Sequence, residues 1–217
     1  GRGRSPLNWS LIEGRKFFFT NLFKYDAGID SGEVLDTFEF NISKRDTSET
    51  LHYKNTLAMD FLIKKNIKNI FKKKFELSKQ KNIAPTYYPK RTPDDSLIDW
   101  RAKIKNLDRF IRAVTKPFNG AFSFLDKKVI IYRAQIFSRH NFGFESNKIG
   151  EIVVVFPNKK FLIKCLDGLL LVNEYWHDGI NNRKNIIREG KVFNNGSKKV
   201  KVFRKNDMGY YDLPESN

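Results

Sequence analysis

The chain of 217 residues is long enough for one large domain or two small ones. Its 40% hydrophobic content, with 20 Phe spread along the length, excludes intrinsic disorder for most of it. No apolar run reaches the roughly 18 residues of a transmembrane helix. The single cysteine, Cys165, excludes an intrachain disulfide framework and a CxxC zinc site, and it favours a reducing, cytoplasmic setting.

The formal net charge of +17 is compatible with a surface for nucleic acid or another polyanion. The lysines are scattered, however, apart from one dense run over residues 64–74. That run interleaves with isoleucines at helical spacing, which predicts an amphipathic helix with a basic, solvated back. We therefore favour a solvated surface over a nucleic-acid site.

Helices and strands alternate in the first half of the chain. The predicted elements are a helix at 6–12, strands at 16–25 and 34–42, and a long helix from about 46 to 78. Pro6 suits a first helical turn, and Asp46 or Thr47 can cap the long helix with a side-chain oxygen. A turn with two glycines, over 26–32, joins the two strands.

The hydrophobic period changes near residue 120. Before it come an irregular loop over 79–96 with three prolines and a helix ending at Val114. After it, short strands are predicted at 121–125, 128–137, 150–156, 160–165, 168–175 and 199–204. Several short strands joined by Gly, Asp and Asn turns indicate a small β-barrel. The predicted domains are residues 1–115 and 116–217.

Three segments resemble formyltransferases that use 10-formyltetrahydrofolate. RGRSPLNW, at residues 2–9, is similar to the segment that follows the family's Asn-x-His motif. DAGIDSGEV, at 26–34, is similar to the family's loop with the catalytic aspartate. YPKRTPDDSLIDW, at 88–100, is similar to the stretch that joins the catalytic and C-terminal domains. Their order and spacing make the combination specific over roughly residues 1–175.

This resemblance implies an α/β fold: the C-terminal remnant of a Rossmann-like formyltransferase domain, followed by a small OB-like barrel. It also implies 10-formyltetrahydrofolate as the formyl donor. The chain begins with Gly1 and contains no Asn-x-His sequence. We therefore expect it to be an incomplete portion of an enzyme that does not turn over the donor alone.

The resemblance implies Asp30 as the catalytic aspartate that orients the histidine and manages protons. Aspartate is common in turns for purely structural reasons. Asp26, four residues earlier in the same loop, is a competing candidate. Arg4 and Arg91 are candidate substrate-binding residues, because a guanidinium fork suits phosphate oxygens. Surface solvation or an ion pair with a nearby aspartate is the alternative for both arginines. No metal site is predicted, since the three histidines lack metal-ligand spacing.

The segments at residues 2–9 and 91–96 look closer to enzymes that formylate nucleotide-linked amino sugars, such as the UDP-4-amino-4-deoxy-L-arabinose formyltransferases. We therefore expect a small nucleotide-sugar substrate and no membrane partner, with a homodimer as an open alternative. Methionyl-tRNA formyltransferase is the alternative, in which the net charge would serve a tRNA surface. A non-catalytic basic binding module built on the C-terminal barrel is the second alternative.

Overall fold

The computed structural model describes residues 1–80, 86–178, 186–206 and 211. Contacts divide the chain into a first unit, Gly1–Arg91 with Phe203–Asn217, and a second unit, Thr92–Val202. The predicted boundary lies between residues 115 and 116, because the hydrophobic period changes near residue 120. In the structure this change marks the start of the sheet of the second unit, whereas the unit itself begins at Thr92. The preceding helix packs against that sheet and so belongs to the same unit.

The first unit is built from two small sheets and two helices. Its elements are β1 (Arg2–Gly3), α1 (Pro6–Glu13), β2 (Phe17–Phe23), β3 (Val34–Asn41), α2 (Ser48–Phe71) and β4 (Tyr87–Tyr88). Strand β1 pairs with β4 in parallel, and β2 pairs with β3 in antiparallel orientation. Helix α2 packs against β2 and β3, where Thr20 Oγ1 donates a hydrogen bond to Asn55 Oδ1 at 2.6 Å. The alternation of helices and strands predicted for this half is confirmed.

Helix α2 begins as the sequence predicts and ends earlier. Thr47 is the cap, since its side chain accepts from the Thr50 amide while Thr50 Oγ1 accepts from the Thr47 amide. The helix ends at Phe71 and not near residue 78, and Lys73 has a positive φ of 53°. Its buried residues are Ser48, Leu51, Ala58 and Leu62. The predicted apolar stripe in the lysine-rich half is only partly covered, because Ile67 and Ile70 are half-buried whereas Ile63 and Phe71 are exposed.

The second unit is one sheet with a helix packed on it. Its elements are a 3-10 turn (Pro93–Ser96), α3 (Ile104–Val114), β5 (Ala121–Phe124), β6 (Lys128–Ser138), β7 (Ile152–Val155), β8 (Phe161–Cys165) and β9 (Gly168–His177). The strand order is β5-β6-β9-β8-β7, with every pair antiparallel. Five of the six strands predicted after residue 120 are confirmed. Residues 199–204 form no strand.

The OB-like closed barrel is not confirmed. Among the described residues, the five strands form an open sheet with β5 and β7 at its edges. The segment 190–194 hydrogen-bonds to both edges without becoming a regular strand. The Phe124 amide donates to Asn194 O at 3.0 Å, and the Ile152 amide donates to Lys191 O at 2.9 Å. Backbone groups that an open edge would leave unpaired are thereby satisfied.

Within the described ranges, no helix combines the length and the apolar character that crossing a bilayer requires.

Candidate active site

Asp30 joins two motif segments that are distant in the sequence. It lies in the turn between β2 and β3, is exposed, and has a positive φ of 51°, a conformation that aspartate tolerates better than most residues. Its Oδ2 accepts a hydrogen bond from the Gly3 amide at 3.1 Å. The loop implied as catalytic therefore contacts the segment at residues 2–9.

The hydrogen bonds described for the Asp26 side chain come from its own turn. Its Oδ1 accepts from Ser31 Oγ at 2.6 Å and from the Gly28 amide at 3.0 Å. The hydrogen bond from Ser31, followed by that from the Gly28 amide, lowers the pKa of Asp26. This is the geometry of an aspartate that stabilises its own turn, which side-chain acceptors in turns commonly do.

A glutamine that the sequence did not single out holds the same loop. Gln80 Nε2 donates to the Asp30 carbonyl at 2.9 Å and to the Gly32 carbonyl at 2.8 Å. Gln80 Oε1 accepts from Arg2 Nη2 at 2.6 Å. One side chain therefore ties the Asp30 loop to β1. No motif marks this residue, because its role depends on contacts 48 to 78 positions away.

Two glycines in this region are required by close backbone approach. A Cβ on Gly3 would lie 2.8 Å from the Tyr88 carbonyl, and Gly3 also has a φ of 95°. A Cβ on Gly32 would lie 1.6 Å from the Lys24 carbonyl. Gly28 and Gly32 do not have a positive φ, and Asp30 is the loop residue in the left-handed region.

The two candidate arginines have different environments. Arg4 is exposed, and its amide donates to the Tyr88 carbonyl at 3.1 Å, which places it next to the Gly3 contact with Asp30. The Arg91 guanidinium lies 5.2 Å from the centre of the Trp9 ring and 5.2 Å from that of Phe203. Such stacking fixes the plane of a guanidinium.

The aspartates that follow Arg91 pair with lysines. Asp94 forms an ion pair with Lys198, and Asp95 Oδ1 lies 3.3 Å from Lys201 Nζ. Asp95 also caps the 3-10 turn by accepting from the Thr92 amide at 2.6 Å. The TPDDS sequence therefore forms a capped turn in the second unit.

The tryptophans of the motif segments are core residues. Trp9 is 2% exposed, and its Nε1 donates to the Pro89 carbonyl at 3.2 Å. Trp100 is 5% exposed, and its Nε1 donates to Ser123 Oγ at 3.0 Å. In both cases the polar end of a buried indole is satisfied.

Glu13 accepts hydrogen bonds from several side chains near this region, and no sequence motif marks it. Its side chain is only 10% exposed. Arg15 Nε donates to it at 2.7 Å and Tyr88 Oη at 2.8 Å, while Tyr211 Oη donates at 3.0 Å and Lys205 Nζ forms an ion pair. Burial by itself would raise the pKa of Glu13, but these four donors outweigh it and lower the pKa to about 2.

The described residues contain no group of three or more His, Cys, Asp or Glu side chains that could hold a metal ion. His52 and His140 are exposed, and His177 is buried at the end of β9, where its Nδ1 lies 3.2 Å from the Asp178 carbonyl. Cys165 is buried, and burial raises the pKa of its thiol to about 12. It is a packed side chain, as the apolar alternation around it predicts.

Residues 90–182 match the family model "Formyl transferase, C-terminal domain". The resemblance to formyltransferases found in the sequence motifs is thereby confirmed.

Two curated relatives extend the similarity to most of the chain. The bifunctional polymyxin resistance protein ArnA of Wigglesworthia glossinidia brevipalpis is 36% identical over 194 residues, which are 88% of this chain and 28% of that protein. The methionyl-tRNA formyltransferase of Ruminiclostridium cellulolyticum is 29% identical over 194 residues, 88% of this chain and 61% of that protein. The chain thus spans less than two thirds of either relative.

Solved structures share the fold. HypX from Aquifex aeolicus in complex with tetrahydrofolic acid superposes with a TM-score of 0.65 at 19% identity, over 82% of this chain and 30% of that one. An N-formyltransferase from Helicobacter canadensis in complex with folinic acid and dTDP-3-aminofucose gives 0.63 at 21% identity, over 81% and 62%.

Proposed function

We propose that the chain is part of an N-formyltransferase and contributes its catalytic aspartate, Asp30. The enzyme would transfer the formyl group of 10-formyltetrahydrofolate to the amine of a nucleotide-linked amino sugar. The observation that carries the proposal is the hydrogen bond from the Gly3 amide to Asp30 Oδ2, because it brings together two segments that each resemble the active-site edge of the family. The relatives support the same class of reaction.

The chemistry can use a carboxylate in this position. The amine attacks the formyl carbon and a C–N bond forms. The bond to the folate nitrogen then breaks, the amine loses a proton, and the leaving folate nitrogen gains one. Asp30 is exposed and held by one oxygen, and no group in the described part of the chain donates to Oδ1. It is suited to orient an imidazole or to accept a proton. The folate supplies the formyl group, and we assign no residue of this chain to its pteridine.

The acceptor is proposed to be a sugar nucleotide on local grounds. Arg4 is exposed beside the Gly3 contact, where a planar fork can give two hydrogen bonds to a diphosphate. Arg91 is the second proposed contact, and its stacking on Trp9 orients its guanidinium. The neighbouring structure with dTDP-3-aminofucose is consistent with such an acceptor. A cytoplasmic location and a homodimer stay part of the proposal.

Methionyl-tRNA formyltransferase is the second candidate. The net charge of +17 and the 29% identity to such an enzyme favour it. Charge spread over a surface gives weak, salt-sensitive binding and does not choose a substrate. We therefore rank it second. A non-catalytic basic module ranks third, since it would give the Asp30 contact no role.

The deciding experiment is a side-by-side assay of the full-length gene product with 10-formyltetrahydrofolate. The acceptors are UDP- and dTDP-linked amino sugars in one arm and methionyl initiator tRNA in the other, with the purified 217-residue chain as the third arm. We expect formylation of a sugar nucleotide by the full-length protein and none by the 217-residue chain. Efficient formylation of tRNA alone would move the assignment to the second candidate, and no transfer at all would favour the binding module.

A further inference from the structure

Three side chains near the C-terminus pack against helix α1 of the first unit. They are Phe203, Lys205 and Tyr211, here called the C-terminal anchor. The Phe203 ring lies edge-on to the Trp9 ring at 5.0 Å, and the Tyr211 ring lies 4.6 Å from it. Trp9 is buried, Phe203 and Tyr211 are half-buried, and Lys205 is exposed. Aromatic pairs of this kind add to stability beyond the area they bury, so the two anchor rings extend the aromatic cluster around Trp9.

The polar groups of the anchor converge on one carboxylate. Lys205 Nζ forms an ion pair with Glu13 Oε1, and Tyr211 Oη donates to the same oxygen at 3.0 Å. The other oxygen, Oε2, accepts from Tyr88 Oη at 2.8 Å. The Lys205 ammonium also lies 4.8 Å from the centre of the Tyr211 ring. The position of Tyr88 thus depends on a carboxylate that the anchor holds from the other side.

Tyr88 connects this cluster to the candidate active site. Its backbone pairs with Gly3 in the β1–β4 sheet, and its carbonyl accepts from the Arg4 amide at 3.1 Å. The Gly3 amide in turn donates to Asp30. A continuous series of contacts therefore runs from the anchor, through Glu13 and Tyr88, to the catalytic aspartate.

The β1–β4 pair needs such support. Each strand has two residues, and isolated two-stranded pairs are marginal in water. Side-chain contacts must then supply much of the order of this sheet. Tyr88 is 4% exposed and supplies contacts of that kind on the β4 side.

We propose that Lys205 and Tyr211 are positioning residues for the active-site edge, acting through Glu13 and Tyr88 to fix β1 and, with it, the Gly3 contact to Asp30. The consequence for catalysis rests on the proposed function; the ordering of β1 does not. The competing possibility is that the anchor only adds general stability to the first unit.

Hydrogen–deuterium exchange of the full-length gene product distinguishes the positioning role of the anchor from a purely stabilising one. The variants are Lys205→Met and Tyr211→Phe, which remove a donor and keep most of the side-chain volume. We expect amide exchange at residues 2–4 to become at least about tenfold faster, since a hydrogen bond to a charged group is lost. Amides in the buried part of α2 around Leu51 should exchange at the original rate.

Two controls sharpen the measurement. Lys205→Arg keeps a charged donor and should retain most of the protection at residues 2–4. Lys191→Met removes an exposed ion pair with Asp126 in the second unit and should leave these amides unchanged. Unchanged exchange at residues 2–4 in the anchor variants, or uniformly faster exchange throughout the first unit, would overturn the proposal.

A kinetic arm tests the catalytic consequence. Lys205→Met is expected to lower kcat for formyl transfer about tenfold or more, with KM for the folate nearly unchanged, because the aspartate is misplaced while donor binding is retained. A rise in KM with kcat unchanged would contradict a positioning role. If the wild-type protein transfers no formyl group, the proposed function fails, and the exchange rates still decide whether the anchor orders β1.

Discussion

At the residue scale, Asp26 and Asp30 show how similar positions in one loop acquire different roles. Asp26 accepts from Ser31 and Gly28 within its own turn, whereas Asp30 reaches the Gly3 amide. Composition and turn chemistry cannot separate the two, since both are aspartates in a glycine-containing turn. The resemblance of the loop to a known family favours Asp30, and its assignment as the catalytic aspartate stays a proposal.

Asp30→Asn in the full-length gene product is expected to lower formyl transfer by about 10³-fold or more while the fold is retained. The amide keeps an acceptor for the Gly3 N–H but loses the charge that orients a base. Asp26→Asn is the matched control: its amide oxygen can still accept from Ser31, so its loss should be far smaller. The measurement is kcat/KM with circular dichroism as a check on folding. Equal losses at both positions would show that the turn has been misassigned.

Gly3→Ala is expected to destabilise the first unit through two separate effects. The positive φ of 95° costs a residue with a Cβ about 1–2 kcal/mol, and the Cβ would also lie 2.8 Å from the Tyr88 carbonyl. Gly143→Ala provides the control, because Gly143 has a similar φ of 88° with nothing within 4 Å of its Cβ. Urea denaturation should therefore show a larger loss for Gly3→Ala than for Gly143→Ala. Equal losses would mean that the contact with Tyr88 relaxes at no cost.

At the element scale, strands were easier to predict than helix ends. Alternation of apolar and polar residues located β5 to β9, because a sheet with one buried face imposes a period of two. The lysine-rich run after Ile63 has apolar residues at helical spacing, yet the helix ends at Phe71. Phe71 is exposed, so no buried apolar contact stabilises a further turn of the helix. The strand predicted at 199–204 has an alternating sequence but no partner strand in the described part of the chain.

Thr47→Ala is expected to destabilise α2 by about 1 kcal/mol, because the capping box satisfies two backbone N–H groups at the helix start. Thr56→Ala is the control on the same helix. Thr56 Oγ1 only donates to the His52 carbonyl within the helix, and alanine is the better helix former. Thr56→Ala should then be neutral or slightly stabilising in urea denaturation. A loss at Thr56 as large as that at Thr47 would argue against a specific capping effect.

At the scale of the whole molecule, contacts between distant residues escaped prediction. Tyr211 and Lys205, which both bind Glu13, lie 198 and 192 positions from it in the sequence. Their sequence surroundings are polar and weakly patterned, so neither periodicity nor turn chemistry marks them. The closed barrel was predicted for a related reason. A sequence indicates how many strands there are, but it does not show whether the two edge strands pair with each other.

The Glu13 cluster predicts an acid-sensitive first unit. The pKa of Glu13 is lowered from 4.5 to about 2, so its contribution is complete above pH 4.5 and is lost as the pH falls towards 2. Glu13→Gln should be less stable than the wild type at neutral pH, and the difference should shrink between about pH 4.5 and 2. The urea midpoint measured across this range checks the prediction. Glu39→Gln, which changes an exposed carboxylate on β3, serves as the control; a constant difference for Glu13→Gln would contradict the assignment.

The net charge of +17 predicts weak, salt-dependent binding of polyanions. Part of the dense lysine run is neutralised, since Lys64 pairs with Asp60 and Lys65 with Asp36, whereas Lys72, Lys73 and Lys74 are exposed beyond the last turn of α2.

We therefore expect the full-length gene product to bind any tRNA weakly and to lose at least about tenfold in affinity between roughly 50 and 200 mM salt. Changing residues 72–74 to Gln should weaken binding more per lysine than changing Lys64 and Lys65, whose charges are already paired. Fluorescence anisotropy with initiator and elongator tRNA measures both effects. If initiator tRNA is bound selectively and binding persists at 200 mM salt, the charge forms a specific surface and tRNA becomes the favoured acceptor, because contacts that survive screening must be shape- or base-specific.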